Sequence, residues 1–344
     1  MFVVYVLKKL DDLHVSLPPT RCLDYWLGSP PIFKLDDRTQ RNPPSWTAGA
    51  GPENIKSAQA AIPQEAQNLG RFASPSLGQL RHMCHGRFYW GVGSGGFPGD
   101  FEIFGFDPKS GEQRSMTRDA VELVLQLWQD PRPGLYEHKY WRFTIPQSDD
   151  EIGLRFHLKP YQNPHPPIGV AGVSAKSDTL RLAGERGWIP MSINIVPSKF
   201  LQSHWESVEA GAQHVGKTAD RSKWRIARDI FIADTTQEAR KLALKGTLGR
   251  DYRDYFLRLL PKCHMMHLMK NDPDMPDSDI TPEYLIDNVW IVGSPDDVAE
   301  KLQQLDQDVG GFGVLMAMGH EWDPKEHWLH SMRLLKEEVL PRLG

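Results

Sequence analysis

From residue 87 to the C-terminus, short apolar runs that end in glycine or a small polar residue alternate with helical stretches that open on a capping residue. This alternation constrains the fold more than any single motif. A helix between two strands carries the chain back to its starting edge, so the strands lie parallel and the helices cover the sheet. Five runs read as strands: residues 87–93, 167–172, 188–195, 225–233 and 312–318. Between them, Val121, Val124, Leu125 and Trp128 fall at helical spacing. A helix over 177–186 stops at Gly187, and one capped by Ser198 stops at Gly216. Thr235 to Glu238 is a capping box, and Ser294 with Pro295 is an N-cap followed by proline at the first helical position. The last helix carries Trp328, Met332, Leu335 and Val339. The expected class is α/β. Five strands suit a doubly wound sheet, whereas a barrel needs eight. Residues 265–281 are polar and broken by prolines, and they are expected to form a long mobile loop that acts as a lid.

Composition narrows the function. With 344 residues, 40% of them hydrophobic and 24% charged, the chain is neither disordered nor a fibrous rod. Its net charge of -4 gives no footprint for a nucleic-acid partner. The apolar run Met1 to Leu7 is too short to span a bilayer, and no cleavage pattern follows it, so a cytoplasmic protein without membrane contact is expected. Cys22, Cys84 and Cys263 lie far apart and suggest no disulfide framework. His82 with His85, and His264 with His267, lack the further ligands of a zinc site, so no metal is expected. Proline marks off the start of the chain. Residues 1–78 hold 9 of the 27 prolines, and pairs such as Pro18-Pro19 and Pro43-Pro44 break every candidate helix there.

Two motifs carry candidate chemistry. Gly91, Gly93 and Gly96 match GxGxxG after a strand, but the residues that follow are not an amphipathic helix, which a dinucleotide fingerprint needs. The glycines read either as a plain turn or as a wall that lets a flat ring approach the backbone. Gly172 to Thr179 joins a parallel strand to a helix N-terminus, where free N–H groups and the hydroxyls of Ser174, Ser177 and Thr179 suit a phosphate monoester. The plainer reading is a serine N-cap.

Taken together, these segments resemble the bacterial luciferase-like flavin monooxygenases. HGRFYWGVGSGG at 85–96 is similar to that family's GVGxG element, and LKPYQNPHPPIGVAGVS at 158–174 to the element before its flavin phosphate site. GSPDDVAEKL at 293–302 and GGFG at 310–313 match its last helices and final strand, and WIPMSIN at 188–194 is most similar to the limonene and alkanal monooxygenase branch. The resemblance implies a (β/α)8 TIM barrel in which the five strands are the fourth to eighth. It implies reduced FMN from a separate flavin reductase, molecular oxygen and a small organic substrate, with a homodimer compatible. Carried over by position, Gly172, Val173, Ser174 and Ser177 cradle the phosphate. Gly93, Ser94 and Gly95 lie beside the flavin, with Met191, Ser192 and Asn194 at the end of the next strand. Luciferase has an arginine where Ser94 stands, so part of its phosphate clamp is missing. The family's Glu-His-His element is absent too, and no catalytic residue is assigned. The first three β/α units are therefore degenerate or missing. Residues 1–79 read as an atypical segment, either truncated or out of frame or a divergent but genuine N-terminus, ahead of a barrel domain expected at 80–344. F420-dependent hydride transfer on the same barrel, or flavin binding without catalysis, are the alternatives.

Overall fold

In the computed structural model, the described residues are 3–8, 89–103, 105, 107, 110–153 and 160–343. In chain order they form β1 (Val3–Lys8), β2 (Trp90–Val92), α1 (Pro98–Ile103), α2 (Glu112–Gln129), β3 (Gly134–Glu137), β4 (Arg142–Ile145) and β5 (Ile168–Gly172). Then come α3 (Asp178–Arg186), β6 (Ile189–Ser192), α4 (Leu201–His214), β7 (Arg225–Ile232), α5 (Thr236–Lys245) and α6 (Thr247–Asp251). A π-helical turn, Tyr252–Phe256, leads into α7 (Leu257–Leu259). The chain ends with α8 (Pro282–Asn288), β8 (Ile291–Gly293), α9 (Pro295–Val309), β9 (Val314–Gly319) and α10 (Lys325–Leu334).

All five expected strands are present, as β2, β5, β6, β7 and β9. Each pairs in parallel with its neighbour in the order β9-β7-β6-β5-β2. The capping signals explain where the helices start. Ser177 Oγ accepts from Leu180 N, and Gly187 ends α3 at φ 70°. Ser294 and Asp297 close a full capping box at α9. Ser198 does not cap α4 as expected. It opens a single 3-10 turn, Ser198–Phe200, and its hydroxyl lies 3.5 Å from Arg228 Nη2 instead.

Several elements go beyond those expected from the sequence. The β3–β4 hairpin packs Tyr136, Trp141 and Ile145 against Leu123 and Leu127 of α2. Short β8 extends the far half of β7, from Ile230 to Ile232. A short helix, α1, follows the glycine run and buries Phe101. The apolar run near the N-terminus forms β1, but it runs antiparallel to β9, whereas a barrel's first strand runs parallel to its last. Among the described residues the sheet therefore stays open at β2. The remainder of the atypical segment at 1–79 lies outside the described residues.

The sheet has two unlike faces. Leu180, Leu201, Trp205, Val208, Ile226, Ile230, Leu302, Leu315 and Trp328 join one large cluster, so the helices cover the face carrying Ile226 and Leu315. Helix packing there is close: a Cβ on Gly184 of α3 would stand 2.0 Å from Val208 O, and one on Gly211 of α4 1.9 Å from Arg181 O. Both glycines are needed for the two helices to touch backbone to backbone. The other face carries a small cluster of strand residues alone: Ala227, Val314 and Met316, with Met191 and Met318 against them. This is the inner face of a barrel-type sheet. Among the described residues, no helix is long and apolar enough to cross a membrane.

Candidate active site

Strand alternation and register show what lines the inner face. Trp90, Ile168 and Val170 point to α2 and α3, so Gly91, Gly169 and Ala171 turn inward, with Gly91 paired to Gly169. Among the described residues, a Cβ on Gly91 or Gly93 would meet nothing within 4 Å, and one on Gly169 only a backbone oxygen at 4.0 Å. The inner wall from β2 to β5 is thus almost bare backbone beside open space. It is flat where β6 and β9 are filled by Met191, Met316 and Met318. Ser94 is partly exposed after this wall, and Gly95 turns the chain at φ 73° over Phe101. A Cβ on Gly96 would stand 4.0 Å from Met265 Sδ, so the start of the 265–281 segment reaches the glycine run.

The turn from β5 to α3 lies at the C-terminal end of its strand, the end that carries sites in this architecture. Val173 is partly buried, Ser174, Ala175 and Lys176 are exposed, and Lys176 adopts the left-handed region at φ 53°. A lysine there costs roughly 1 kcal/mol, a strain common where a turn has a second task. The first-turn N–H groups of α3 point out of the helix end. Two carried-over residues act differently from expectation. Ser177 is buried and its oxygen is the N-cap acceptor. Gly172 faces the helix layer, where a Cβ would stand 2.3 Å from Leu180 Cδ1, so close strand–helix packing requires this glycine.

Of the three residues assigned to the end of β6, Met191 faces the inner cluster. Ser192 faces the helices and is fully buried. Trp224 Nε1 donates to Ser192 Oγ at 3.0 Å, which frees the hydroxyl proton for His204 Nδ1 at 2.9 Å. Burial pushes the His204 imidazole down to about 4; the Ser174 backbone opposes this and the Arg228 guanidinium adds to it. His204 is therefore neutral, which suits an acceptor nitrogen.

Asn194 lies beyond the end of β6, where alternation no longer holds, and it reaches the inner face. Its Nδ2 donates to Asp229 Oδ2 at 2.8 Å and to the Tyr252 hydroxyl at 3.2 Å. Tyr252 in turn donates to Asp229 Oδ2 at 2.7 Å. His320, just past β9, bridges Asp229 Oδ1 through Nε2 at 2.9 Å and Asp251 Oδ2 through Nδ1 at 2.8 Å. Burial works against charge on this imidazole. The hydrogen bonds and charges of Asp229 and Asp251 outweigh it, and its pKa is raised to about 9. Burial, followed by the Asp229 carboxylate, pushes the Tyr252 hydroxyl well above its usual range, so it remains a donor. The network is an imidazolium between two carboxylates, with a phenol and an amide completing the inner one.

The sequence carries one signal for this network: Arg228-Asp229 is a charged pair flanked by apolar residues in the interior of a strand. Both residues are fully buried. Nothing local in the sequence connects Asp229 to Asp251, Tyr252 or His320. The segment expected to be a mobile lid is anchored at its two ends, and most of residues 271–279 between them are exposed. Met266, Leu268, Met269 and Ile280 are buried in the main cluster, and two 3-10 turns shape it. Among the described residues no group of three or more His, Cys, Asp or Glu side chains is gathered to hold a metal.

Comparison with known proteins fits this geometry. The model of the luciferase-like monooxygenase family matches residues 75–311. The 3,6-diketocamphane 1,6-monooxygenase of Pseudomonas putida is 31% identical over 308 residues, covering 85% of this chain and 81% of that protein. Limonene 1,2-monooxygenase of Rhodococcus erythropolis is 26% identical over 77% of this chain and 63% of its own length. Among solved structures, the oxygenating constituent of 3,6-diketocamphane monooxygenase, a type II Baeyer-Villiger monooxygenase from Pseudomonas putida in complex with FMN, superposes with a TM-score of 0.71. It is 31% identical over 81% of this chain and 77% of that chain. An F420-dependent secondary alcohol dehydrogenase shares the fold at 18% identity and a TM-score of 0.54. The parallel strands, the bare inner wall and these matches lead to one assignment: this chain belongs to the luciferase-like monooxygenase family.

Proposed function

We propose that the chain is the oxygenating component of a two-component FMN-dependent monooxygenase, acting on a small organic substrate of the ketone class. The observation that carries this reading is the inner wall of Gly91, Gly93, Gly169 and Ala171, which leaves room for a planar ring against backbone. The residues present fit FMN. The wall accepts the ring, and the β5–α3 turn offers outward N–H groups, the Ser174 hydroxyl and one cation, Lys176. Asp178, in the first turn of α3, already places a carboxylate at that helix end, so the turn side chains bear more of the phosphate charge.

Bound reduced FMN supplies the oxygen chemistry: one oxygen atom goes to the substrate, the other leaves as water, and the flavin is oxidised. The protein's own part is placement and dryness. Met191, Met316 and Met318 give the inner face an apolar lining that excludes water. Met265 sits against the glycine run from the other side. The imidazolium of His320, held by Asp229 and Asp251, keeps a proton buried at the strand ends and is no general base at neutral pH. Supply of reduced FMN by a separate reductase is part of this proposal.

The test is isotopic. With reductase-generated FMNH2, oxygen-18 gas and a panel of bicyclic ketones, one labelled oxygen is expected in the product. Hydride transfer from reduced F420 without oxygen consumption would replace this reading with the dehydrogenase one. FMN binding without turnover on any substrate would favour a non-catalytic flavoprotein.

A further inference from the structure

The orientation of the Asn194 amide is dictated by its partners. Asp229 is fully buried, and its carboxylate receives His320 Nε2, the Tyr252 hydroxyl and Asn194 Nδ2. A carboxylate only accepts, so the amide must turn its NH2 end toward it. The Tyr252 proton is committed to Asp229, so the phenol oxygen also accepts from Asn194 Nδ2. A flipped amide would set a carbonyl against a carboxylate and lose both bonds. The Asn194 Oδ1 end receives no donor from the described residues, and the side chain is only partly buried. An acceptor oxygen is thus fixed at the end of β6, beside the inner face.

We propose that Asp229, Tyr252 and His320 are positioning residues that hold Asn194 Oδ1 as the acceptor for an N–H group of the bound flavin ring. This rests on the flavin reading above. Tyr252 supplies the lock on the amide, and His320 Nε2 holds the other carboxylate oxygen of Asp229 in place. Asp251, a quarter exposed, anchors the far side of the imidazolium.

A double-mutant cycle in FMN affinity, read by flavin fluorescence, tests the coupling. Asn194→Leu is expected to weaken FMN binding about tenfold, and Tyr252→Phe about fivefold, as for loss or misalignment of one hydrogen bond. In the Asn194→Leu background, Tyr252→Phe is expected to cost less than about twofold, because the amide it orients is gone. Asp251→Asn provides a second arm should Tyr252→Phe fail to fold. It is expected to cost about threefold with Asn194 present and less than about twofold without it. Equal losses in both backgrounds, or no loss from Tyr252→Phe and Asp251→Asn with Asn194 present, would overturn the proposal while leaving the flavin reading intact. A wild-type chain that binds no FMN would overturn both.

Discussion

The two faces of the sheet treat a buried histidine in opposite ways. On the helix-covered face, His204 has a serine hydroxyl as its partner and an arginine nearby, and it is neutral with a pKa near 4. At the end of the inner face, His320 has a carboxylate on each nitrogen and is charged with a pKa near 9. Burial lowers both, so the partners decide. The helix side is a packing layer, where neutrality and close contact hold the elements together. The inner face is bare at β2 and β5 and ionised at β7 and β9, an arrangement that does little for packing and suits a bound ring.

Substitutions that add volume separate the faces most strongly. Gly184→Leu or Gly211→Leu drives a side chain into the facing helix backbone, with an expected loss of more than about 4 kcal/mol or failure to fold in urea titration. Gly91→Ala adds a methyl group to open space. Its melting temperature should stay near that of the wild type, while FMN affinity falls about tenfold. A fold defect in Gly91→Ala would break the comparison.

The histidines predict a stability maximum near pH 6.5. His204 has a lowered folded pKa, so the unfolded chain binds its proton first and stability falls as pH drops from about 6.5 towards 4. His320 has a raised folded pKa, so its contribution is complete below about 6.5 and lost as pH climbs through 9. Each limb is worth up to about 3 kcal/mol. Denaturant midpoints across pH 4–9.5 should show both limbs, with His204→Gln flattening the acid one and His320→Gln the alkaline one. A profile unchanged by either variant would contradict the assignment of charge.

Smaller effects belong to the phosphate turn. Ser174→Asp should weaken FMN by tenfold or more through charge repulsion, about 1.4 kcal/mol or above. Lys176→Gly removes a cation and relieves a left-handed residue. It should raise stability by up to about 1 kcal/mol and still weaken FMN several-fold. A variant that gained both stability and affinity would show that Lys176 has no role toward the phosphate.

The strand order and most helix starts were legible in the sequence because they depend on local signals. Ser177 and Ser294 cap their helices, and Gly187 ends one, as their positions imply. Two other residues show the limit. Gly172 is expected as a ligand contact; its absent Cβ also answers to Leu180, eight residues on, a packing fact that spacing cannot reveal. Ser192 and Asn194 were assigned together; alternation sends Ser192 outward, and only the strand's end lets Asn194 turn in. The His320 network joins residues from β7, α6, the π-helical turn and the ends of β6 and β9, so no local pattern announces it. The 265–281 segment looked polar, yet four apolar side chains within it anchor it to the core.

Hydrogen exchange with and without FMN tests the division between the two faces most directly. Local slowing is expected in peptides spanning residues 90–96, 169–177 and 191–194, with the α3–α4 contact around Gly184 and Gly211 unchanged. Slowing confined to the helix layer around His204, or no change anywhere at saturating FMN, would contradict it.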